Sequence, residues 1–181
     1  MEAKFMDSLF EKVSNSEMHS EIINGVEVIQ NRTTPAHNIA VATISTALRN
    51  NISANKGNCI VFTENVALFV NELCGNNDYF LPDVMVVCDD KAIREDGVHA
   101  APLFVAEITS ESTRHNDFGY KKEVYRAMGV EEYWVVDIQR NLIEKYLLSK
   151  DYSSDCFMHP EAMKVSVYDF VFDVTTFIRQ K

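Results

Sequence analysis

The chain has 181 residues, of which 46% are hydrophobic and 24% charged, and this composition excludes a disordered chain. No apolar run is long enough to cross a membrane. The net charge of −10 argues against a surface that binds nucleic acid everywhere.

Two short elements open the chain. Residues 1–16 predict a helix, with Phe5, Leu9, Phe10 and Val13 at helical spacing. The acidic residues among its first dozen positions are unlike a signal peptide, so we expect a cytoplasmic protein. The segment SEIINGVEVIQ then predicts a hairpin that turns at Asn24-Gly25 and carries Glu21 on its first strand.

A long helix and a long strand follow the hairpin. Thr33, Thr34 and Pro35 break the strand, and the pattern predicts a helix over Ala36–Ala54 with His37 in its first turn. Its predicted inward face comprises Ile39, Ala42, Thr43, Thr46, Ala47 and Leu48. After a turn at residues 55–58, the apolar run from Cys59 to Val70 predicts one long or bent strand.

The cysteines give no sign of a metal or disulfide framework. No C-x-x-C pair is present, so neither a zinc site nor a set of disulfides is indicated. We expect reduced thiols, mostly buried in strand-like runs, at Cys59, Cys74, Cys88 and Cys156.

Two carboxylates interrupt the two most apolar strands. PDVMVVCD predicts a strand with Asp83 near its start, on the face of Met85 and Val87. PLFVAEIT predicts a central strand, covered on both faces, in which Glu107 shares a face with Val105. An ionised carboxylate is costly in such surroundings unless a positive charge meets it.

A lysine directed at the core could supply that charge. A polar loop over residues 110–116 leads to Asp117, a plausible cap for a helix that ends at Gly129. Lys121 falls in the middle of the helix's apolar arc, and a buried lysine needs a carboxylate partner. The remainder of that arc comprises Phe118, Tyr120, Val124, Tyr125, Ala127 and Met128.

The last third of the chain continues with strands. EYWVVD and NLIEKYLLS predict strands, residues 150–162 are irregular, KVSVYDF is a strand candidate, and DVTTFIRQK predicts a short helix. We therefore expect a single α/β domain over 1–181, with an N-terminal helix (1–16), a core (17–149) and a C-terminal extension (150–181). Its sheet is mixed and flanked by helices.

Several motifs in this order resemble a known family. They are Pro82-Asp83, then Glu107 on the next strand, then D-x-x-x-K-x-x-x-Y over residues 117–125, then G-V-x-E-Y-W-x-V-D over residues 129–137. This series resembles the Uma-type family of putative restriction endonucleases, a branch of the PD-(D/E)XK nuclease superfamily. EIINGVEVI, followed by a Pro and His37, extends the resemblance to the N-terminal half.

The resemblance implies a fold, an activity and a set of site residues. It implies a restriction-endonuclease-like fold, cleavage of DNA with Mg²⁺ or substituting Mn²⁺, and a homodimer. Asp83 and Glu107, with the backbone carbonyl of Ile108, would bind the metal, and Lys121 would orient or activate the attacking water. The accessory candidates it implies are Glu21, His37, Asp117 and Tyr125.

Two positions depart from the family pattern. Thr109 fills the lysine position of E-x-K, so the amine must come from Lys121, the migrated position. Glu111 stands where the family usually has proline and adds a negative charge near the phosphate path. A basic track could still form from Arg114, His115, Lys122 and Arg126, or these residues could decorate a solvated helix.

Simpler interpretations are open for the same residues. Asp83 could cap a turn, Glu107 and Lys121 could form a structural ion pair, and Asp117 could be only a helix cap. The charge of −10 and Glu111 motivate a binding or assembly module that keeps the nuclease fold without turnover. A metal-dependent hydrolase of a non-nucleic substrate would use the same residues.

Overall fold

A six-stranded mixed sheet lies at the centre of the computed structural model, which describes residues 20–29, 33–70 and 78–179. With strands numbered along the chain, its spatial order is β12 (Ser154–Met158), β11 (Leu142–Leu147), β10 (Glu132–Asp137), β9 (Phe104–Ile108), β6 (Val84–Val87) and β3 (Ile60–Thr63). β9 and β10 are parallel, and the other neighbours are antiparallel. The α/β fold predicted from sequence is confirmed.

Short strands build a second sheet. Its order is β2 (Val26–Ile29), β1 (Ser20–Ile23), β5 (Tyr79–Phe80), β4 (Leu68–Phe69), β8 (Gly97–Val98) and β7 (Ile93–Arg94). The predicted hairpin is confirmed, since Asn24 and Gly25 turn it with φ angles of 51° and 73°. Such positive φ angles are typical of Asn-Gly turns.

Three α-helices occur in the described part of the chain: α1 (Pro35–Ala54), α2 (Arg114–Phe118) and α3 (Tyr120–Met128). α1 has the predicted span, with Thr34 as its cap and Pro35 in its first turn. Its predicted face is wrong except for Leu48, because the buried residues are Ala40, Val41, Ile44, Ser45, Leu48 and Ile52. The helix carries small and apolar side chains of its own on all faces, so the periodicity of its sequence could not single out the buried face.

Both faces of the central sheet are covered. α1 and the C-terminal segment pack on one face, where the Trp134 ring lies 5.3 Å from Phe104 and 6.1 Å from Phe172. α3 and the second sheet pack on the other face, where Tyr125 lies 5.6 Å from Phe80 and 4.9 Å from Tyr133. Residues of β6 and β9 therefore alternate between two cores.

The run from Cys59 to Val70 is not one strand. It forms β3 and β4, which belong to different sheets. Glu64 and Asn65 separate them, with φ angles of 34° and 59°. Extended backbone cannot continue through two residues with positive φ, so the chain turns there.

The prediction of reduced cysteines is wrong for Cys59 and Cys88, which form a disulfide with their Cα atoms 4.1 Å apart. β3 and β6 pair with Ile60 opposite Val87, which puts the two cysteines opposite each other. Strand pairing, which cysteine spacing does not reveal, decides this bond. Cys156 is free but exposed, and Cys74 lies outside the described residues.

The C-terminal segment differs from three predictions. Residues 150–162 are not irregular throughout, because β12 adds an edge strand to the central sheet. The KVSVYDF segment is divided between β13 (Ala162–Val165), a 3-10 turn and the start of β14 (Phe170–Asp173), and β13 pairs with β14. The predicted terminal helix is a turn, in which the Thr175 N–H donates to Asp173 Oδ1 at 2.7 Å.

The predicted helix over residues 1–16 lies outside the described residues. Within the described ranges, no helix has both the length and the apolar character needed to cross a membrane.

Candidate functional site

Asp83 and Glu107 lie side by side at one end of the central sheet. β6 and β9 pair with Val84 opposite Ala106, and Asp83 and Glu107 are the next pair in that register. The Asp83 N–H lies 3.4 Å from Glu107 Oε2, and the Ile108 N–H donates to Asp83 Oδ2 at 2.7 Å. The structure therefore brings the carboxyl groups of Asp83 and Glu107 and the backbone of Ile108 together.

Lys121 reaches the same point from α3. Its side chain is buried, and Nζ lies 2.7 Å from Glu21 Oε1 and 3.1 Å from Glu107 Oε1. Asp117 Oδ1 is 3.9 Å from the same Nζ. A lysine on the apolar arc of this helix was predicted to need carboxylate partners, and it has three.

A break between α2 and α3 positions Lys121. Asp117 is not a helix cap, because α2 begins at Arg114 and Asp117 is a buried residue within it. The break falls at Gly119, where a Cβ atom would lie 2.6 Å from the carbonyl oxygen of His115. Only glycine allows this approach, and α3 then starts in a new direction. The end of α3 at Gly129 is as predicted, whereas Ala127 is exposed rather than buried.

Glu21 reaches the site because its hairpin is anchored. The Leu81 N–H donates to Glu21 Oε1 at 2.7 Å. The Asp78 carboxylate accepts from the backbone N–H groups of Asn24 and Gly25, each at 2.8 Å, and from the Tyr120 hydroxyl at 2.6 Å. Asp78 thereby ties the hairpin turn to α3. Sequence reasoning missed Asp78, which follows two asparagines in what reads as an ordinary polar loop.

Tyr125 and Asp117 complete the inner wall. The Tyr125 hydroxyl donates to Glu107 Oε1 at 2.7 Å, so this oxygen accepts from both Tyr125 and Lys121. Burial raises the pKa of the Asp117 carboxyl, against the lowering effects of the Lys121 charge and of hydrogen bonds from Thr109 and Thr113. Both accessory candidates are therefore within the cluster.

His37 reaches the outer side of Asp83 from the first turn of α1. Its Nε2 lies 3.0 Å from Asp83 Oδ1 and 3.5 Å from Glu64 Oε1. Burial would lower the pKa of His37, but the hydrogen bond and charge of Asp83 and the charge of Glu64 raise it. Sequence reasoning missed Glu64. The signal was the Glu-Asn pair that interrupts the apolar run after β3.

The cluster contains more acid than base. Burial raises the pKa of Glu107, and the charge of Asp83 raises it further. The charge of Lys121 lowers the pKa by less than burial raises it, and the result is a pKa of about 8. Burial would lower the pKa of Lys121, but the charges of Glu107, Glu21 and Asp117 raise it well above its ordinary value. Lys121 is therefore an ammonium at neutral pH. A divalent cation fits the remaining negative charge, and hard oxygen donors are those Mg²⁺ prefers.

A cavity of about 360 Å³ opens onto the cluster. Its inner wall includes His37, Asp83, Glu107 and Lys121, and hydroxyl and amide side chains from α2 and the turn before it line part of its rim. Those rim residues are Ser110, Ser112, Thr113 and Asn116. Apolar side chains, among them Ile23, Val28 and Ile29, also line the cavity, so it offers a ligand both polar and apolar contacts.

Acidic residues partner three of the four side chains of the candidate basic track. Arg114 pairs with the buried Asp137, and Arg126 pairs with Asp151. Lys122 Nζ lies 3.2 Å from Glu123 Oε1. Only His115, which is exposed on α2, has no ion pair within the described chain. These contacts favour the interpretation of these residues as helix decoration.

Comparisons with known proteins agree with this fold. The family model Uma2, described as "Putative restriction endonuclease", matches residues 6–171. A crystal structure from Anabaena variabilis ATCC 29413, described as a putative nuclease belonging to DUF820, is similar with a TM-score of 0.74. It is 16% identical, and the match covers 93% of this chain and 94% of that chain. No curated protein matches this chain. Because the family model spans nearly the whole sequence, the chain belongs to the Uma2 family of putative restriction endonucleases.

Proposed function

We propose that this nuclease-like protein is a Mg²⁺-dependent endonuclease that hydrolyses phosphodiester bonds in DNA. One observation carries the proposal: Asp83, Glu107 and the Lys121 ammonium, from three separate elements, converge at the floor of one cavity. A buried cluster with four carboxylates and one lysine costs stability, so a functional reason for it is expected. Family membership gives the nuclease class, and DNA and Mg²⁺ are our extension of it.

Each side chain has a distinct proposed role. Asp83, Glu107 and the Ile108 carbonyl would hold the ion, which would offset charge on the phosphate and lower the pKa of a bound water. Since Lys121 keeps its proton at neutral pH, it can donate hydrogen bonds to water or phosphate but cannot take a proton. Lys121 therefore orients rather than deprotonates the nucleophile. Glu21 and Asp117 hold its amine in place.

Assembly as a homodimer also belongs to this proposal. The described basic side chains near the site are mostly paired, so one protomer offers little free positive charge to a duplex. A second protomer would provide a second cleft and a second set of phosphate contacts. Light scattering at micromolar protein should give twice the 20.6 kDa chain mass.

Plasmid cleavage tests the activity. We expect nicking or linearisation with Mg²⁺ or Mn²⁺, none with EDTA, and loss on the order of a hundredfold or more in Asp83→Asn, Glu107→Gln and Lys121→Met. Lys122→Met is the matched control and should keep activity, because Lys122 is adjacent in sequence but its amine contacts Glu123 and the Tyr146 ring rather than the carboxylate cluster. Equal rates in the wild type and all four variants would contradict the proposal.

A second candidate is a nuclease-fold binding module without turnover. It is favoured by the hydrogen bonds of the site, because protein donors already engage three of the four carboxylate oxygens of Asp83 and Glu107 closely. Such a pair is stable without an ion. Calorimetric titration with Mn²⁺ separates the two functions: in the endonuclease, Glu107→Gln removes the heat of binding at the Asp83–Glu107 site, whereas the module shows no heat at millimolar metal.

A further inference from the structure

A second group of ligands lies on the outer side of Asp83. His37 Nε2, Glu64 Oε1 and an Asp83 carboxylate oxygen lie within 4.8 Å of one another. The residues come from α1, from the turn after β3 and from the start of β6. None of the three is fully exposed, and His37 and Asp83 line the cavity.

The spacing of these atoms matches a coordination sphere. Two ligands at right angles on an ion with bonds of about 2.1 Å lie roughly 3 Å apart. The measured separations from Nε2 are 3.0 Å to Asp83 Oδ1 and 3.5 Å to Glu64 Oε1. The backbone of His37 is held in the first turn of α1, where its backbone N–H donates to Thr34 Oγ1 at 3.2 Å.

The donor types indicate which ions would bind. One imidazole nitrogen with two carboxylates is softer than the all-oxygen set of Asp83, Glu107 and Ile108. Imidazole suits transition metals, whereas Mg²⁺ prefers oxygen and water. The outer group should therefore select Mn²⁺, Co²⁺ or Zn²⁺ over Mg²⁺.

We propose that His37, Glu64 and Asp83 form a second divalent-metal subsite, selective for transition-metal ions. Asp83 would be shared with the inner site, which is the proposed ion site of Asp83, Glu107 and the Ile108 carbonyl. The inference rests on the proposed function only through Asp83, because the other two ligands have no part in the inner site. An ion held by these residues would supply a second positive charge beside the cavity, which could offset negative charge on a bound phosphate.

Pulsed electron paramagnetic resonance on the Mn²⁺-loaded protein tests this subsite directly. An imidazole ligand gives a ¹⁴N modulation that carboxylates and water do not. We expect the modulation in the wild type, in Glu107→Gln and in His115→Gln, which alters an exposed histidine on α2. It should disappear in His37→Gln. Calorimetry on Glu64→Gln should show Mn²⁺ binding to this subsite weakened on the order of tenfold or more.

The outcomes separate this inference from the proposed function. Mn²⁺ binding without ¹⁴N modulation in the wild type overturns the subsite and leaves the inner site standing. Modulation that disappears in Glu107→Gln also overturns it, because the metal would then depend on the inner ligands. Absence of any Mn²⁺ binding overturns both. Since Glu64 lies in a partly exposed turn, Glu64→Gln keeps the test valid if His37→Gln fails to fold.

Discussion

Lys121 is the residue on which the site depends, because it is the lysine that contacts Glu21, Glu107 and Asp117. Replacing it by methionine keeps most of the apolar stem but leaves these carboxylates without their cation. We expect Lys121→Met to lower the free energy of unfolding by about 3–5 kcal/mol at pH 8. Urea titration measures the loss, and Lys122→Met should change stability by less than about 1 kcal/mol.

The same variant should respond to pH in a defined direction. Without Lys121 the pKa of Glu107 rises further, so the folded state holds a proton that the unfolded state, with an ordinary carboxyl pKa, releases sooner. The stability of the variant therefore falls as pH rises from the carboxyl pKa of the unfolded state to the higher pKa of the folded state. The deficit of Lys121→Met should be smaller at pH 5.5 than at pH 9, because the wild-type Glu107 has lost its proton at pH 9 and that of the variant has not. A deficit independent of pH would contradict the assignment of Lys121 as the counter-ion of these acids.

Under the proposed function, Glu107 makes metal binding depend on pH. Its pKa of about 8 means that the carboxyl holds a proton at neutral pH, and a metal ligand must release that proton. The dissociation constant for Mn²⁺ should therefore fall as pH rises from 6 to 8, by up to about tenfold per unit. Calorimetry in two buffers of different ionisation heat would also detect the released proton. An affinity that does not change over this range would exclude a protonated Glu107 in the metal-free protein.

At the scale of elements, the break at Gly119 sets the direction of α3. A methyl group there would lie 2.6 Å from the His115 carbonyl oxygen, and neither group is the end of a flexible side chain. We expect Gly119→Ala to lower the free energy of unfolding by about 1–3 kcal/mol. Because the helix must shift to relieve the clash, cleavage should fall as well. Glu123→Ala on exposed α3 surface is the control and should leave both quantities nearly unchanged.

Local signals in the sequence are strong for some elements and absent for others. The Asn-Gly hairpin, β6, β9 and the helix end at Gly129 follow from turn chemistry and from valine-rich runs. The buried face of α1 does not, because its small side chains give no contrast between faces. The division of residues 59–70 into two strands was also not predicted. The chain turns there at Glu64 and Asn65, although the residues on both sides are apolar.

The site follows the same division. Two acids in apolar strands and a lysine on an apolar arc are anomalies within single elements, so the sequence reveals Asp83, Glu107 and Lys121. Asp78 is a polar residue in a polar loop, and Glu64 is an acid that interrupts an apolar run. Only the folded chain brings Glu64 to His37 and Asp78 to the hairpin turn. Residues in turns carry no periodicity that predicts which side chains they will contact.

At the scale of the whole molecule, the central sheet is a frame that joins distant parts of the chain. Glu21 and Lys121 are 100 residues apart and meet at 2.7 Å. The C-terminal segment contributes Met163, Val165, Val174, Phe177 and Ile178 to the core that includes α1. Contacts of such long sequence separation depend on how distant elements pack together, so their partners had to be observed.

The disulfide between Cys59 and Cys88 fixes one pair of strands in this frame. It closes a loop with a sequence separation of 29, which in the chain-entropy account stabilises the fold by about 3–4 kcal/mol. We expect the double variant Cys59→Ala/Cys88→Ala to lose about 3 kcal/mol of unfolding free energy. Dithiothreitol should produce the same loss in the wild type and none in the double variant, while Cys156→Ala should behave as the wild type.

This bond also tests how far the frame controls the site. Asp83 lies at one end of β6 and Cys88 follows the other end, so breaking the bond removes a constraint remote from the carboxylates. Mn²⁺ affinity should therefore stay within about twofold on reduction, since the hydrogen bonds that hold Asp83 come from Ile108 and His37. Disulfides persist in oxidising compartments and are rare in the cytosol, where we expected this chain. If dithiothreitol leaves the wild-type unfolding free energy unchanged, Cys59 and Cys88 are thiols in solution, and the prediction of reduced cysteines is correct.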